Sequence, residues 1–595
     1  METSMNKKRD TGIRAALSVI FTVLLQMDAD MYVSPLESFY GKSRVFEIIL
    51  ATVFYCSFHV WENKTYRYKK WSLVTGAVLA GFYALGYNVE RHLDLFSGSN
   101  GSWIPGKLFL KWLVCWYCFA TIILSAYGGL DRIKYMPVSM RVKGISGAVR
   151  QICVMMLLSV CWMPALIGNW PGILYADSFS QIYQILGIEK MSTHHPIVHT
   201  LLLKSCIAAG GDIEKGIAGY TLISFFAIIF IFSYMVNLMA EEAFDIRAVV
   251  LFIVICAFFP PVSRFSIAVI KDGWFAAFAA LYLLELYLVC VKEKTADRYL
   301  AGLAIAAVGT CLFRKNGVYL LAFTAAYLCF CMRKHKTGMG KVLAVCILAI
   351  CLNFCVEKGA VSLFGVVPGS SREMLSWPIQ QMARIEKNEK ELSAGRNAAI
   401  NSFFTEESSL GDVYYPLISD PAKNLFSEEK FSGREIEFAT LSLRLLAAYP
   451  EESLEAFLCS SFGYWYPVPI NWFYAENNSA EPNLEETVRR HDYPAAVDYV
   501  YFNEWKNIAG VDVLTSIGLV FWLFLIISGY FIAGRKHREL LLMVPLGALW
   551  ITSAASPVYN ELRYVLAIYP VLPVVCQLVI GSRDDRKDAQ AGHVG

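Results

Sequence analysis

Apolar runs of membrane-spanning length recur from residue 13 to residue 581, and they constrain this chain's fold more than any other feature. A run of about 20 such residues is long enough, as a helix, to cross the hydrocarbon core. With 56% of residues hydrophobic and 17% charged, the chain reads as an all-α polytopic membrane protein. A net charge of +3, with basic residues in short clusters between the runs, argues against a nucleic-acid partner. Lys7, Lys8 and Arg9 lead into an apolar run with no small-residue cleavage pattern after it, so the first span reads as an anchor.

Lys and Arg concentrate in cytoplasmic loops. With the N-terminus inside, the basic loops at 64–70, 132–150, 292–298, 333–341 and 535–538 all fall on the cytoplasmic side if there are about fourteen helices. The expected spans are 13–31, 44–61, 72–90, 107–128, 151–168, 216–238, 247–263, 273–291, 299–313, 317–332, 342–356, 512–533, 540–554 and 565–581. This divides the chain into a four-span extension (1–150), a membrane core (151–356) carrying an outer loop (169–215), a mainly helical extracytoplasmic domain (357–511), three further spans (512–581) and a cytoplasmic tail (582–595). Both large polar segments then share the outer side and together could enclose a site at the membrane surface.

All but Cys206 and Cys459 of the sixteen cysteines lie inside these spans, which argues against a disulfide framework. Cys115 and Cys118 sit one turn apart in an apolar span, where packing explains them, and no structural metal is assigned. Glu285, mid-span, costs roughly 3 kcal/mol to insert, so it should face the helix bundle, paired or protonated, or mark a transport path.

The polar stretch 169–200 is the strongest candidate for chemistry. Trp170, Pro171 and Gly172 break the preceding span, and Asp177 then stands before a helical run, where capping alone would account for it. His194, His195 and His199 follow, ahead of an amphipathic stretch expected to lie along the membrane surface. His195 and His199 are four apart, as two ligands on one helix would be, but Pro196 disturbs the first turn and no third ligand is fixed. Hydrogen bonding of the imidazoles to a phosphate or sugar is the favoured reading; a divalent cation stays open.

An Asp in the first large outer loop, a downstream His-Pro, a surface helix and further spans resemble the C-type glycosyltransferases (GT-C), multi-pass enzymes that take sugars from polyprenyl-phosphate lipids. The segments YADSFSQ, STHHPIVHTLL, IKDGWF, FRKNGVY, SWPIQQMARI, FGYWYP and ELRYVLAIYPVLP, in that order between about residues 150 and 580, look like an uncharacterised family of bacterial proteins usually described as glycosyltransferases. The resemblance implies a GT-C-like fold in the bacterial plasma membrane with an extracytoplasmic active site. It implies sugar transfer from a polyprenyl-phosphate donor to a glycan, lipid or protein acceptor, with Asp177 as the general base. No second acidic residue stands beside Asp177 in an Asp-x-Asp pattern, which leaves metal dependence open.

A lipid-phosphate leaving group calls for cations, and Lys271, Arg314, Lys315 and Arg563 fall on the side of Asp177 in this topology. The plainer reading is that they snorkel to headgroups, and that Asp272 simply neutralises Lys271. Gln381 and Arg384, in QQMAR, are further substrate-binding candidates, and Trp377, Tyr464, Trp465 and Tyr466 are candidates for stacking on sugars or for packing a core. A transporter or flippase of a lipid-linked precursor, or a scaffold subunit, are the other function classes the residues allow.

Overall fold

The computed structural model describes residues 57, 60, 61, 65–96, 104–138, 144–331, 338–389, 393–467, 515–556 and 558–581. Among these residues every regular element is a helix, and β pairing is confined to isolated bridges. The chain divides into two units, 1–133 with 522–536, and 134–521 with 537–595.

In the first unit, α1 (Tyr66–His92) and α2 (Pro105–Leu130) pack side by side. They approach so closely at Gly76 that a Cβ there would meet the Ala120 backbone at 2.7 Å. Tyr68 and Tyr530 both donate their hydroxyls to Asp131 Oδ1 (3.2 and 2.9 Å), tying both chain segments of the unit to one carboxylate.

The second unit begins with α3 (Gly147–Gly168). Ile152, Met156, Val160, Met163 and Ile167 recur along one face of α3 and are all exposed. In water such a stripe would be a large unpaid apolar patch; against lipid it is the favoured surface. Two shorter helices follow, α4 (Ala176–Leu186) and α5 (Ile197–Gly210), and then α6 (Ile213–Glu241). The surface helix expected after His199 is α5, but it lies against α6 as an antiparallel hairpin, where a Cβ on Gly216 would fall 2.4 Å from Ile207 Cα.

The expected span 247–263 is not one straight helix. It is α7 (Ile246–Phe258) and α8 (Pro260–Ser266), bent by 59°. Pro260 has no N–H to give the preceding turn, and its ring disfavours helical geometry in the residue before it, so Phe259 is extended (φ −82°, ψ 106°).

At the centre stands α9 (Asp272–Leu286), continued by one π turn, Tyr287–Val291. Its alanines at 276, 277, 279 and 280 are fully buried and let neighbouring helices approach closely. Helix α10 (Asp297–Phe313) packs along it, with Gly302 facing the Glu285 carboxylate and Gly309 facing the Phe278 ring. The bundle is completed by α11 (Asn316–Cys331) and α12 (Met339–Phe364), and later by α16 (Leu540–Ala554) and α17 (Ile568–Gly581). Between them, α13 (Ser376–Asn388), α14 (Glu435–Ala448) and α15 (Pro450–Ser460) surround a core of Ile379, Met382, Phe403, Phe404, Phe426 and Phe438, the helical domain expected after the first bundle.

Seven described helices are long and apolar enough to cross a membrane, eight if the bent pair is one span. The expected span 13–31, and 44–61 apart from residues 57, 60 and 61, lie outside the described residues. Each of the other twelve expected segments contains a helix, but several, such as α11 with 16 residues and α16 with 15, fall short. At 1.5 Å per residue they reach about 24 Å, less than the roughly 30 Å hydrocarbon core. Apolar periodicity reports a buried helix and a spanning one alike, which is why counting runs overstates the number that meet the length test.

Residues from three of the expected basic loops, Arg150, Lys294 and Arg538, gather at one end of the second unit. Around the C-terminal end of α6, Arg150 Nε donates to Asn237 Oδ1 (2.8 Å) and Lys294 pairs with Glu242 (2.6 Å). Nearby, Arg538 pairs with Glu293 (2.5 Å). Helix α9 runs from this end to the other, where Asp272 opens it.

Candidate functional site

Backbone pairing builds the site before any side chain enters. Ile173 bridges to Ala268 in parallel, its N–H donating to Ile267 C=O (3.3 Å) and its C=O accepting from Val269 N–H (2.9 Å). Ser178 then accepts the Tyr175 N–H (3.0 Å) and donates its hydroxyl to Val269 C=O (2.8 Å). Tyr175 is therefore the residue that caps α4, and Asp177 sits inside the first turn, so the capping role expected for Asp177 is corrected. Its carboxylate turns to the segment ahead of α9, where it takes an ion pair from Lys271 Nζ and a second from Arg563 at 3.5 Å. Asp272 does not neutralise Lys271. It is fully buried and pairs with Arg314 across the start of α9.

Arg314 also lies over the Tyr564 ring (4.3 Å), and Arg563 faces both that ring (5.3 Å) and Glu561 (3.5 Å). The segment before Arg563 is held by Tyr464, whose hydroxyl accepts the Glu561 N–H (3.2 Å) while its own carbonyl accepts from Trp550 Nε1 (2.6 Å). On the short arm of the bend Arg264 is buried; burial pushes the Tyr175 hydroxyl up, with Arg264 and Arg563 opposing it. The cluster thus holds Arg264, Lys271, Arg314 and Arg563 against Asp177, Asp272 and Glu561, four cations to three carboxylates.

The charges tune one another. Burial would raise the Asp177 carboxyl, but Lys271, Arg563 and His195 hold it well below the usual carboxylate range. Burial lowers the Lys271 ammonium, with Arg563 and Arg314 adding to the effect and Asp177 opposing it. Burial also pushes the Glu561 carboxyl up against the pull of Arg563 and Arg314. A low-dielectric site with surplus positive charge favours an added anion.

Asp177 has a second face. A cavity of about 440 Å³ opens beside it, with Ala176, Asp177 and Ser180 of α4 on one side and Glu189, Ser192, His194 and His195 along the next segment. Its far wall is 368–370 with Arg372. That wall is fixed by main chain: Thr193 N–H donates to Val367 C=O (2.9 Å), and Val367 N–H to Met191 C=O (2.9 Å). Gly369 is required there, because a Cβ would stand 2.8 Å from His194 Cα.

The three histidines divide. His195 is buried, with Lys271 Nζ donating to Nδ1 (3.3 Å); burial, then Lys271, lowers its pKa to about 3, so the ring is neutral. His194 lines the cavity. His199 does not reach it: fully buried, it spends Nδ1 on Gln181 (2.8 Å) and Nε2 on Tyr220 (2.7 Å). The helical spacing proposed for His195 and His199 fails because Pro196 caps α5, leaving His195 outside the helix. Among the described residues no three His, Cys, Asp or Glu side chains are grouped to hold a metal.

Other candidates fall elsewhere. Lys315 is exposed at the turn before α11 and does not line the cavity. Gln381 is buried between α14 and α15, donating to Ser442 C=O (3.1 Å) and Ser453 Oγ (2.8 Å). Arg384 pairs with Glu452 (2.5 Å) and Glu455. Both hold the helical domain together, because Gln381 finds its partners on α14 and α15 and Arg384 its ion pairs on α15, rather than at Asp177. Trp377 likewise donates to Ser453 C=O (3.2 Å), and Trp465 and Tyr466 are buried. Sequence reasoning missed Arg264, Glu561, Tyr564, Glu189 and Arg372. Of these, only ELRY offered a signal, with an acid two residues before Arg563.

The fold and the site define a class: a helical multi-pass membrane protein with a buried, net-positive charge cluster meeting a polar cavity at one carboxylate. The chain belongs to DUF6020, a family of unknown function, which it matches over residues 187–593. That region holds Lys271, Arg314, Arg563 and most of the cavity wall, and begins just after Asp177. No curated protein and no solved structure matches the chain.

Proposed function

We propose that this protein is a membrane glycosyltransferase of GT-C type that moves a sugar from a polyprenyl-phosphate-linked donor to an extracytoplasmic acceptor. The observation that carries the reading is that Asp177 is shared between the cationic cluster and the cavity. In the resting protein Lys271 and Arg563 make Asp177 a weak base. A donor phosphate competes for those cations, and as they turn to it the carboxylate loses its counter-charges and gains proton affinity. Asp177 then accepts the proton of an acceptor hydroxyl as its oxygen bonds to the anomeric carbon, while the bond from that carbon to the phosphate oxygen breaks with inversion. Arg314 and Arg563 offset the charge that develops on the departing lipid phosphate.

In this reading the protein sits in a bacterial plasma membrane with both termini cytoplasmic and the site outside, crossing up to fourteen times. The cation-rich loops gathered at the end of α6 opposite the site support that orientation. A second reading, a transporter or flippase of a lipid-linked envelope precursor, is favoured by one observation: the 59° break at Phe259, since transporters use broken helices at their sites. Proteoliposomes containing the full chain and a radiolabelled short-chain polyprenyl-phosphate sugar separate the two. Sugar transfer that disappears in Asp177→Asn supports the transferase; lipid translocation with no transfer by the unaltered protein rejects it.

A further inference from the structure

We propose that the cavity beside Asp177 is an acceptor site for a carbohydrate, so that the acceptor is a glycan rather than a lipid or a protein; the inference rests on the transferase reading. The walls give the class. They hold the hydroxyls of Ser180, Ser192 and Ser370, the carboxylate of Glu189, the guanidinium of Arg372 and the imidazoles of His194 and His195, and the aliphatic side chains among them are Ala176 and Pro368. An acyl chain there would take the Glu189 carboxylate and the Arg372 guanidinium out of water. A peptide bound as an added strand or in a groove needs a sheet edge or apolar anchor pockets, and neither lines this cavity.

A sugar fits on both counts. Each hydroxyl donates and accepts, so a ring can satisfy a carboxylate on one wall and a guanidinium on the other. The volume of about 440 Å³ is on the scale of a small-molecule site and holds a small saccharide. The placement follows from the reaction. Lys271 and Arg563 reach Asp177 without lining the cavity, so an acceptor hydroxyl enters from the cavity while the phosphate is held by the cations. In-line displacement with inversion needs that separation of incoming and outgoing oxygens. Glu189 accepts from Ser180 Oγ at 3.5 Å, which ties its carboxylate to the α4 wall that also carries Asp177.

The test is binding, measured without donor. The full chain in detergent micelles is examined by saturation-transfer NMR with methyl β-glucoside, methyl α-mannoside and methyl N-acetyl-β-glucosaminide. At least one glycoside is expected to bind in the millimolar range, and Glu189→Gln and Arg372→Ala each to weaken it five-fold or more. Lys204→Ala, exposed on α5 away from the cavity, is expected to leave binding unchanged. Unaltered melting of the cavity variants shows that they are folded. The proposal is overturned if no glycoside binds, if the cavity variants bind as tightly as the parent, or if dioctanoylglycerol or a serine-rich peptide binds in place of the sugars. Donor cleavage to lipid phosphate, assayed separately without acceptor, reports on the transferase reading alone.

Discussion

Asp177 and Lys271 lie 94 positions apart in sequence and form an ion pair at the start of two helices, with Arg563 as a second cation on the same carboxylate oxygen. Removing the charge while keeping the shape isolates its role. Asp177→Asn is expected to lower sugar transfer by 10²-fold or more, the scale of a lost general base, with membrane insertion and expression unchanged. Transfer from labelled donor in proteoliposomes measures it, and parental rates would end the mechanism.

Arg314 and Asp272 make a separate buried pair, with side chains 11% and 0% exposed. Removing one partner strands the other. Asp272→Asn or Arg314→Ala should each cost about 3–5 kcal/mol, read as a fall in melting temperature in detergent. The double change Asp272→Leu with Arg314→Met should recover most of that stability and, if Arg314 meets the donor phosphate as proposed, none of the transfer.

His195 predicts a pH dependence. Its folded pKa of about 3 lies below the ordinary value of 6.5, because burial and Lys271 oppose protonation. Between these values the unfolded chain binds the extra proton, so stability is complete above about pH 6.5 and falls as pH drops toward 3. The melting temperature should decline across that window, and His195→Asn should flatten the decline. An unchanged slope in the variant would show that His195 is not responsible.

Arg384 and Gln381 supply the contrast. Arg384→Ala leaves the buried Glu455 without its partner and should destabilise the helical domain by about 3–5 kcal/mol; Gln381→Ala, which takes the acceptor from the Ser442 hydroxyl, should cost about 1–3 kcal/mol. At a temperature where both remain folded, kcat/KM for transfer should match the parent. A selective rise in substrate KM would return these residues to the site.

The apolar runs from Tyr66 onward made the helices legible, because burial against lipid or protein writes itself into composition at every turn. Asp177, Lys271, Arg314 and Arg563 were also legible, as polar residues where apolar ones were the rule. Their pairing was not. Lys271 and Asp272 are neighbours in sequence, yet a helix start sends their side chains to different partners, Asp177 and Arg314. His199, Gln381 and Arg384 carry the same chemistry as site residues and differ only in where their neighbours come from, which no local spacing records. The bend at Phe259 was written in Pro260 and Pro261, although hydropathy averaged across them gives one continuous span.

The bonds joining Ile173 to the residues on either side of Ala268 belong to the main chain, and the Ser178 hydroxyl adds a side-chain bond to Val269 C=O. Together they make the first turn of α4 and the approach to α9 one stiff plate, with the acid riveted to one edge and the ammonium to the other. A displacement of Lys271 is therefore carried through this plate to Ala176 and Ser180, which line the cavity.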